Sequence, residues 1–382
     1  MKPIYLDNNA TTMIAPEVVE EMTPYLSEFY GNPSSMHTFG RQLCSKVEEA
    51  RAKVAALIGA VPEEIVFTSC GSESDNTAIM SSLVSSPRKK HIITTNVEHP
   101  AVLNFCKHLA LKGYRITFLP VDEKCMPDPA DLARALDDDT AVVSIMFANN
   151  ETGTILPVME MGAMLRERNV LFHTDAVQAV GKIPIDVKRL PVDMLSVSGH
   201  KLHAPKGVGA LYVRKGTRFS PCLIGGHQES GRRAGTENVA SIIGLGKAAE
   251  LAGNNLYNEV MTIKGLRNRL ESELLRLCPE ARINGDLNRR LPNTTSLSFE
   301  KVAGEAILLK LDEYGICASS GSACLSGSSE PSHVLKAMCV PFAAIHGSIR
   351  FSLSRYTTEE EINMAIEKLP PIINELRRPN AA

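Results

Sequence analysis

Two short stretches hold residues able to do covalent chemistry: His173-Thr174-Asp175-Ala176-Val177-Gln178 and Ser198-Gly199-His200-Lys201. Each lies at the end of a β-rich run, and the lysine stands 26 positions after the aspartate. A lysine amine on a small polar turn can form a Schiff base with a carbonyl, and a carboxylate can hold a protonated ring nitrogen. Pyridoxal phosphate (PLP) needs both, because it is held as an imine and works as an electron sink only while its ring nitrogen stays protonated. Gln178 is close enough to Asp175 to hydrogen-bond the ring hydroxyl. Taken alone, the pair also reads as an ion-paired surface lysine and a capping aspartate, so the neighbouring residues carry the weight.

Those neighbours fit a phosphate-bearing ring. Gly71-Ser72-Glu73-Ser74 follows a strand-like run and opens a helix, where free backbone N–H groups and the helix dipole favour an anion. The same residues also serve as ordinary capping material, and Ser198 and His200 beside the lysine favour the phosphate. His99, in Val97-Glu98-His99-Pro100, is placed to stack a flat imidazole on a ring and to move a proton, although a lone histidine is more often structural. Arg350 and Arg355 lie on a strand-like stretch, where a guanidinium fork can clamp a substrate carboxylate or close an edge-strand ion pair. Cys324 sits in Ser319-Ser320-Gly321-Ser322-Ala323-Cys324-Leu325-Ser326-Gly327-Ser328-Ser329, a composition that predicts a mobile loop. A thiol there is exposed and able to travel, which suits attack on sulfur and delivery of the product, or is a plain surface cysteine.

The elements that must position these residues are legible as alternation. Strand-like runs at 64–69, 91–95, 115–120, 141–147, 170–174 and 194–198 are interleaved with helical patterns at 17–28, 42–58, 100–111 and 157–168. That order predicts an α/β fold with a mostly parallel sheet and helices on both faces. In such sheets ligands gather at the carboxyl ends of the strands, and Gly71, Ser72, His99, Asn149, Asn150, Asp175, Ser198 and Lys201 all fall there. A long helix from Val239 to about Leu275 leads to strand-like runs at 294–299, 315–319 and 349–353. We therefore expect a large domain over 13–255 and a small α+β domain from 1–12 and 256–382.

Composition narrows the function classes. A net charge of −2 without a basic stripe argues against nucleic-acid binding. Neither a signal-type leader nor an apolar run of membrane-spanning length is seen, so a cytoplasmic protein without a membrane partner is expected. Nine scattered cysteines without a Cys-x-x-Cys pair indicate neither a disulfide framework nor a zinc site. No resident metal is expected.

Together these residues resemble the NifS-type, group I cysteine desulfurases of the PLP-dependent aminotransferase class V family. The likeness runs over nearly the whole chain, through Tyr5 to Thr12, Gly31 to Ser35, Thr68 to Asn76, Glu98 to Val102, Asn149 to Gly153, His173 to Gly181, Ser198 to Gly207, Gly231 to Thr236 and Ser319 to Cys324. It implies PLP fold type I, with a seven-stranded sheet in the large domain and the Cys324 loop in the small one. It also implies that Lys201 forms the imine, Asp175 pairs with the ring nitrogen, Gln178 bonds the ring hydroxyl and His99 stacks on the ring. Gly71, Ser72, Ser198 and His200 would hold the phosphate, with Thr236 reaching the phosphate of the other subunit of a homodimer. Ser72 replaces the threonine of many relatives but keeps the hydroxyl. Asn150 and Arg350 would orient the substrate L-cysteine.

The reaction so implied converts L-cysteine to L-alanine and leaves the sulfur as a persulfide on Cys324, with His99 relaying a proton. The sulfur would pass to an iron–sulfur scaffold of the NifU/IscU type. Thr68 to Gly71 and Gly231 to Asn238 lie closer to the nitrogenase-linked NifS branch than to the housekeeping IscS branch. The alternatives are another class V activity, such as an aminotransferase or selenocysteine lyase, and a non-catalytic relative that retains the fold. A nucleotide-binding protein ranks last, because Gly-x-Gly-x-x-Gly and Gly-Lys-Ser/Thr are missing.

Overall fold

The structure, a computed structural model, describes residues 3–320 and 331–377. After the short β1 (Ile4–Tyr5), the central sheet is built from β2 (Ile65–Thr68), β3 (His91–Thr95), β4 (Arg115–Leu119), β5 (Thr140–Ser144), β6 (Leu171–Asp175), β7 (Met194–Ser198) and β8 (Gly209–Val213). Their spatial order is β2-β8-β7-β6-β5-β3-β4. Only β8 runs against its neighbours, β2 and β7; the other pairings are parallel. The six runs read from the sequence are therefore strands, and the seventh is Gly209–Val213, a return strand that periodicity did not separate from the Lys201 turn.

Burial explains the composition of the strands. β3, β5, β7 and β8 are buried along their whole length, as expected where helices cover both faces and β-branched residues fill the pleats. On one face, the helices Thr38–Leu57 and Val239–Leu277 pack Val47, Val54, Leu245 and Ala249 over Ile65, Phe67, Val143 and Leu195. On the other, Ile79 and Leu83 from Gly71–Ser85 meet Val102, Cys106 and Leu109 from Pro100–Leu111. The helix expected over 17–28 is broken into Pro16–Met22 and Pro24–Ser27, with Thr23 between them still helical at φ −55° and ψ −45°, because Pro24 has no N–H to give the preceding turn.

The helix Val239–Leu277, 39 residues long, joins two apolar cores. Its first half contributes Leu245, Ala248 and Ala252 to the sheet core, and its second half contributes Leu266, Leu270 and Leu274 to another. That second core is closed by β9 (Arg282–Ile283), β10 (Thr294–Ser298), β12 (Ser348–Ser352) and the helix Glu359–Arg377. There β10 pairs antiparallel with both β12 and β9. β11 (Ile316–Cys317) pairs in parallel with β1, which ties the first residues of the chain to this unit. Asp7 to Asn9 pass between the cores and reach the strand ends of the large sheet.

Candidate active site

A cavity of about 270 Å³ opens where β2, β3, β5, β6 and β7 end. Gly71, Ser72, His99, Asn150, Asp175, Gln178, Ser198, His200, Lys201 and Arg350 all line it. These residues come from six separate parts of the chain; the parallel sheet brings five together because its strands end on one edge, and Arg350 reaches the cavity from β12 of the second sheet. Thr236 lies outside the cavity, on the exposed segment before Val239–Leu277. Cys324 lies outside the described residues. Arg355 pairs instead with Glu259 at 3.1 Å.

Local sequence explains the placement. Pro100 starts a helix with no N–H to satisfy and keeps His99 extended, at φ −61° and ψ 148°. The His99 ring then caps that helix, its Nδ1 accepting from the Ala101 N–H at 3.1 Å. In the neutral ring this leaves the proton on Nε2. Burial, the Lys201 charge and His333 push His99 down to about 4. Lys201 ends a tight turn, Gly199–Lys201, and its Nζ donates to the carbonyls of Asn9 and Ala10 at 2.5 and 2.6 Å.

Asp175 closes β6, and its Oδ1 accepts from the Val177 N–H at 2.9 Å, which leaves Oδ2 for a guest. Burial raises its carboxyl to about 6, against the Val177 N–H and the Lys201 charge. Asp75, on the helix opposite, is raised well above the carboxylate range, first by burial and then by Asp175. Burial disfavours the charge on both carboxyls, and the negative charge of Asp175 further favours a proton on Asp75. His173, one strand position earlier than Thr174, is fully buried between Ser144 Oγ and Ser196 Oγ, each at 2.9 Å. Desolvation drives it down to about 3 and keeps it neutral.

PLP fits this donor set. A Cβ on Gly71 would stand 2.9 Å from Val177 Cγ2 and 3.3 Å from Ser198 Cβ, so glycine lets the N-terminus of Gly71–Ser85 close on the end of β7. That N-terminus faces a cavity already holding Ser72, Ser198 and His200, an anion site in type. Across the same cavity lie an amine, an anionic carboxyl and a carboxamide, which are the groups a Schiff-base pyridine requires.

Arg350 is the residue best fixed for a carboxylate. It is 4% exposed, its Nη2 donates to Asp7 Oδ1 at 2.7 Å and its Nη1 to the Asn150 carbonyl at 3.0 Å. Its Nε has no partner. The Arg350 backbone exchanges both hydrogen bonds with Ser319, just before residue 321. Beyond residue 330, Ser332 Oγ donates to buried Glu151, and His333 Nε2 lies 2.9 Å from the Glu98 carbonyl. Both ends of the segment carrying Cys324 are thus anchored beside cavity residues.

Sequence reasoning missed Asn9, Ala10, Asp75, Met146 and Val177 as lining residues. Asn9 is the hub among them. Its carbonyl accepts from Lys201 and Gln178, and its Nδ2 donates to the Asn150 carbonyl and Thr294 Oγ1. The partners lie 141 to 285 residues away, so local spacing gave no sign of them.

The aminotransferase class-V family model matches residues 4–364. The chain belongs to that family. It is 59% identical over 377 residues to a cysteine desulfurase of Nostoc sp., covering 99% of this chain and 94% of the relative. It is 57% identical over 378 residues to the cysteine desulfurase NifS of Azotobacter vinelandii, with the same coverage. A solved NifS-like protein superposes with a TM-score of 0.92 at 42% identity, over 98% of this chain and all of the other. A NifS-like protein from Rickettsia africae gives 0.89 at 34% identity, over 97% and 99% of the two chains. Among the described residues no helix is long and apolar enough to cross a membrane.

Proposed function

We infer that this protein is a PLP-dependent cysteine desulfurase that supplies sulfur for iron–sulfur cluster assembly, on the nitrogenase-linked NifS branch. One observation carries the reading: the Lys201 amine, the Asp175 carboxylate and the Gly71 helix N-terminus converge on one cavity with Arg350 at its side. The identity to relatives named cysteine desulfurase supports the choice among class V activities.

Bound PLP supplies an electron sink for the charge left when an amino acid loses its Cα proton. Lys201 would hold the cofactor covalently, Asp175 its ring nitrogen, Gln178 its ring oxygen, and His99 one face of its ring. Gly71, Ser72, Ser198 and His200 would take its phosphate, joined by Thr236 from a second subunit in a homodimer. Arg350 and Asn150 would fix the carboxylate of L-cysteine, which sets its Cα–H within reach of Lys201 Nζ as base. His99 keeps its proton on Nε2 at neutral pH, where it can serve the sulfur.

The Cys324 thiolate then attacks the substrate sulfur. The substrate C–S bond breaks, an S–S bond forms, and protons taken up by the carbon skeleton complete L-alanine. Cysteine plus the enzyme thiol becomes alanine plus the enzyme persulfide, with no external oxidant or reductant. The persulfide is a transferable form of sulfur, and a scaffold protein of the NifU/IscU type is its acceptor in this reading. A Lys201→Ala variant tests it: alanine release from L-cysteine and the yellow colour of the protein should both disappear. Retained turnover would overturn the assignment.

A further inference from the structure

Lys182 lies behind the cavity on the turn that follows β6. Gly181, at φ +73°, brings that turn against Leu202, whose Cδ1 would stand 2.0 Å from any Cβ there. Lys182 Nζ donates to Gln178 Oε1 at 2.7 Å and lies 3.4 Å from Asn9 Oδ1. Gln178 Nε2 donates one hydrogen to the Asn9 carbonyl at 3.0 Å. A carboxamide held this way has one allowed orientation. Turning it over would set Nε2 against the Lys182 amine and Oε1 against the Asn9 carbonyl, donor on donor and acceptor on acceptor. The second Nε2 hydrogen is left for the cavity that Gln178 lines.

We propose that Lys182 is a positioning residue that fixes Gln178 as a hydrogen-bond donor, never an acceptor, toward the ring oxygen of bound PLP. The inference rests on the reading of this cavity as a PLP site. A donor there favours the anionic over the neutral form of a phenolic oxygen, so Lys182 sets an electronic property of the cofactor without touching it. Desolvation, with Lys201 and Arg350 nearby, pushes the Lys182 amine down to about 7. An amine in either protonation state has a hydrogen to give Gln178 Oε1.

The test is a cycle of Lys182→Met and Gln178→Ala, alone and combined. Apoprotein is titrated with PLP, and the visible absorption of the loaded protein is titrated with pH. Lys182→Met should weaken PLP binding about tenfold, the scale of one charge-assisted hydrogen bond, and move the absorption midpoint upward. In the Gln178→Ala background, Lys182→Met should add nothing to either reading. Lys182→Gln retains an N–H donor and should recover most of the affinity, which separates positioning from a folding defect. Equal losses in both backgrounds, no loss in the wild-type background, or no recovery with glutamine would overturn the proposal. Failure of the wild-type apoprotein to bind PLP would overturn the cofactor reading itself.

Discussion

His99 and Asp175 have their proton inventories set by where the sheet buries them. His99 falls to about 4, chiefly by desolvation, so it is already neutral well below pH 6.5 and its loss of a proton cannot set a midpoint near neutrality. Asp175 titrates near 6 and must be anionic to hold a ring nitrogen. PLP binding to the apoprotein should therefore weaken as pH falls through about 6, and that midpoint should move when Asp75, its neighbour, becomes Asn. A midpoint that His99→Gln removed and Asp75→Asn left in place would refute this division of roles. Asp175→Ala should lower PLP affinity and turnover by about a hundredfold or more, since it removes a charge-assisted contact in a desolvated site. Equilibrium dialysis and alanine assay check both. Residue types and order made Lys201, Asp175 and Gln178 visible in the sequence. Asn9 and Asp75 were not visible, because their roles come from contacts made across the fold.

The close approaches of helix to strand and of turn to turn are made by glycines. Gly71→Ala would put a methyl group 2.9 Å from Val177 Cγ2, forcing the helix N-terminus away from Ser198. We expect a loss of about 1–3 kcal/mol in stability together with weaker PLP binding, read by thermal melting with and without PLP. Melting alone changing, with PLP affinity intact, would separate Gly71 from the phosphate cradle. The sheet was legible because β3, β5, β6 and β7 are short β-rich runs set between helical periods. The return strand Gly209–Val213 was hidden, since it pairs antiparallel and begins at a glycine close behind the Lys201 turn. The break at Thr23 was marked by Pro24, which a reading of hydrophobic period alone passes over.

The large core also carries a pH cost. Burial raises Glu98 from 4.5 to about 8 in the fold, although Thr95 Oγ1 and the Met146 N–H donate to it. The stability it contributes is complete below the unfolded value and is lost as pH rises toward 8. Wild type should therefore lose stability relative to Glu98→Gln between about pH 5 and pH 8, measured by urea unfolding of the apoprotein. A constant difference across that range would show that Glu98 is ionised in the fold. The residues flanking the Cys324 segment, Ser319 on one side and Ser332 and His333 on the other, are held to Arg350, Glu151 and Glu98 beside the cavity. The central claim is that substrate sulfur moves onto that cysteine as alanine forms. The most direct measurement is one turnover of L-cysteine without reductant, quantifying alanine and protein-bound sulfur by peptide mass spectrometry in wild type and Cys324→Ala. The account predicts one added sulfur on the Cys324 peptide for each alanine released by wild type, and neither product from the variant. Alanine from the variant at the wild-type rate, or sulfur on a different cysteine, would contradict it.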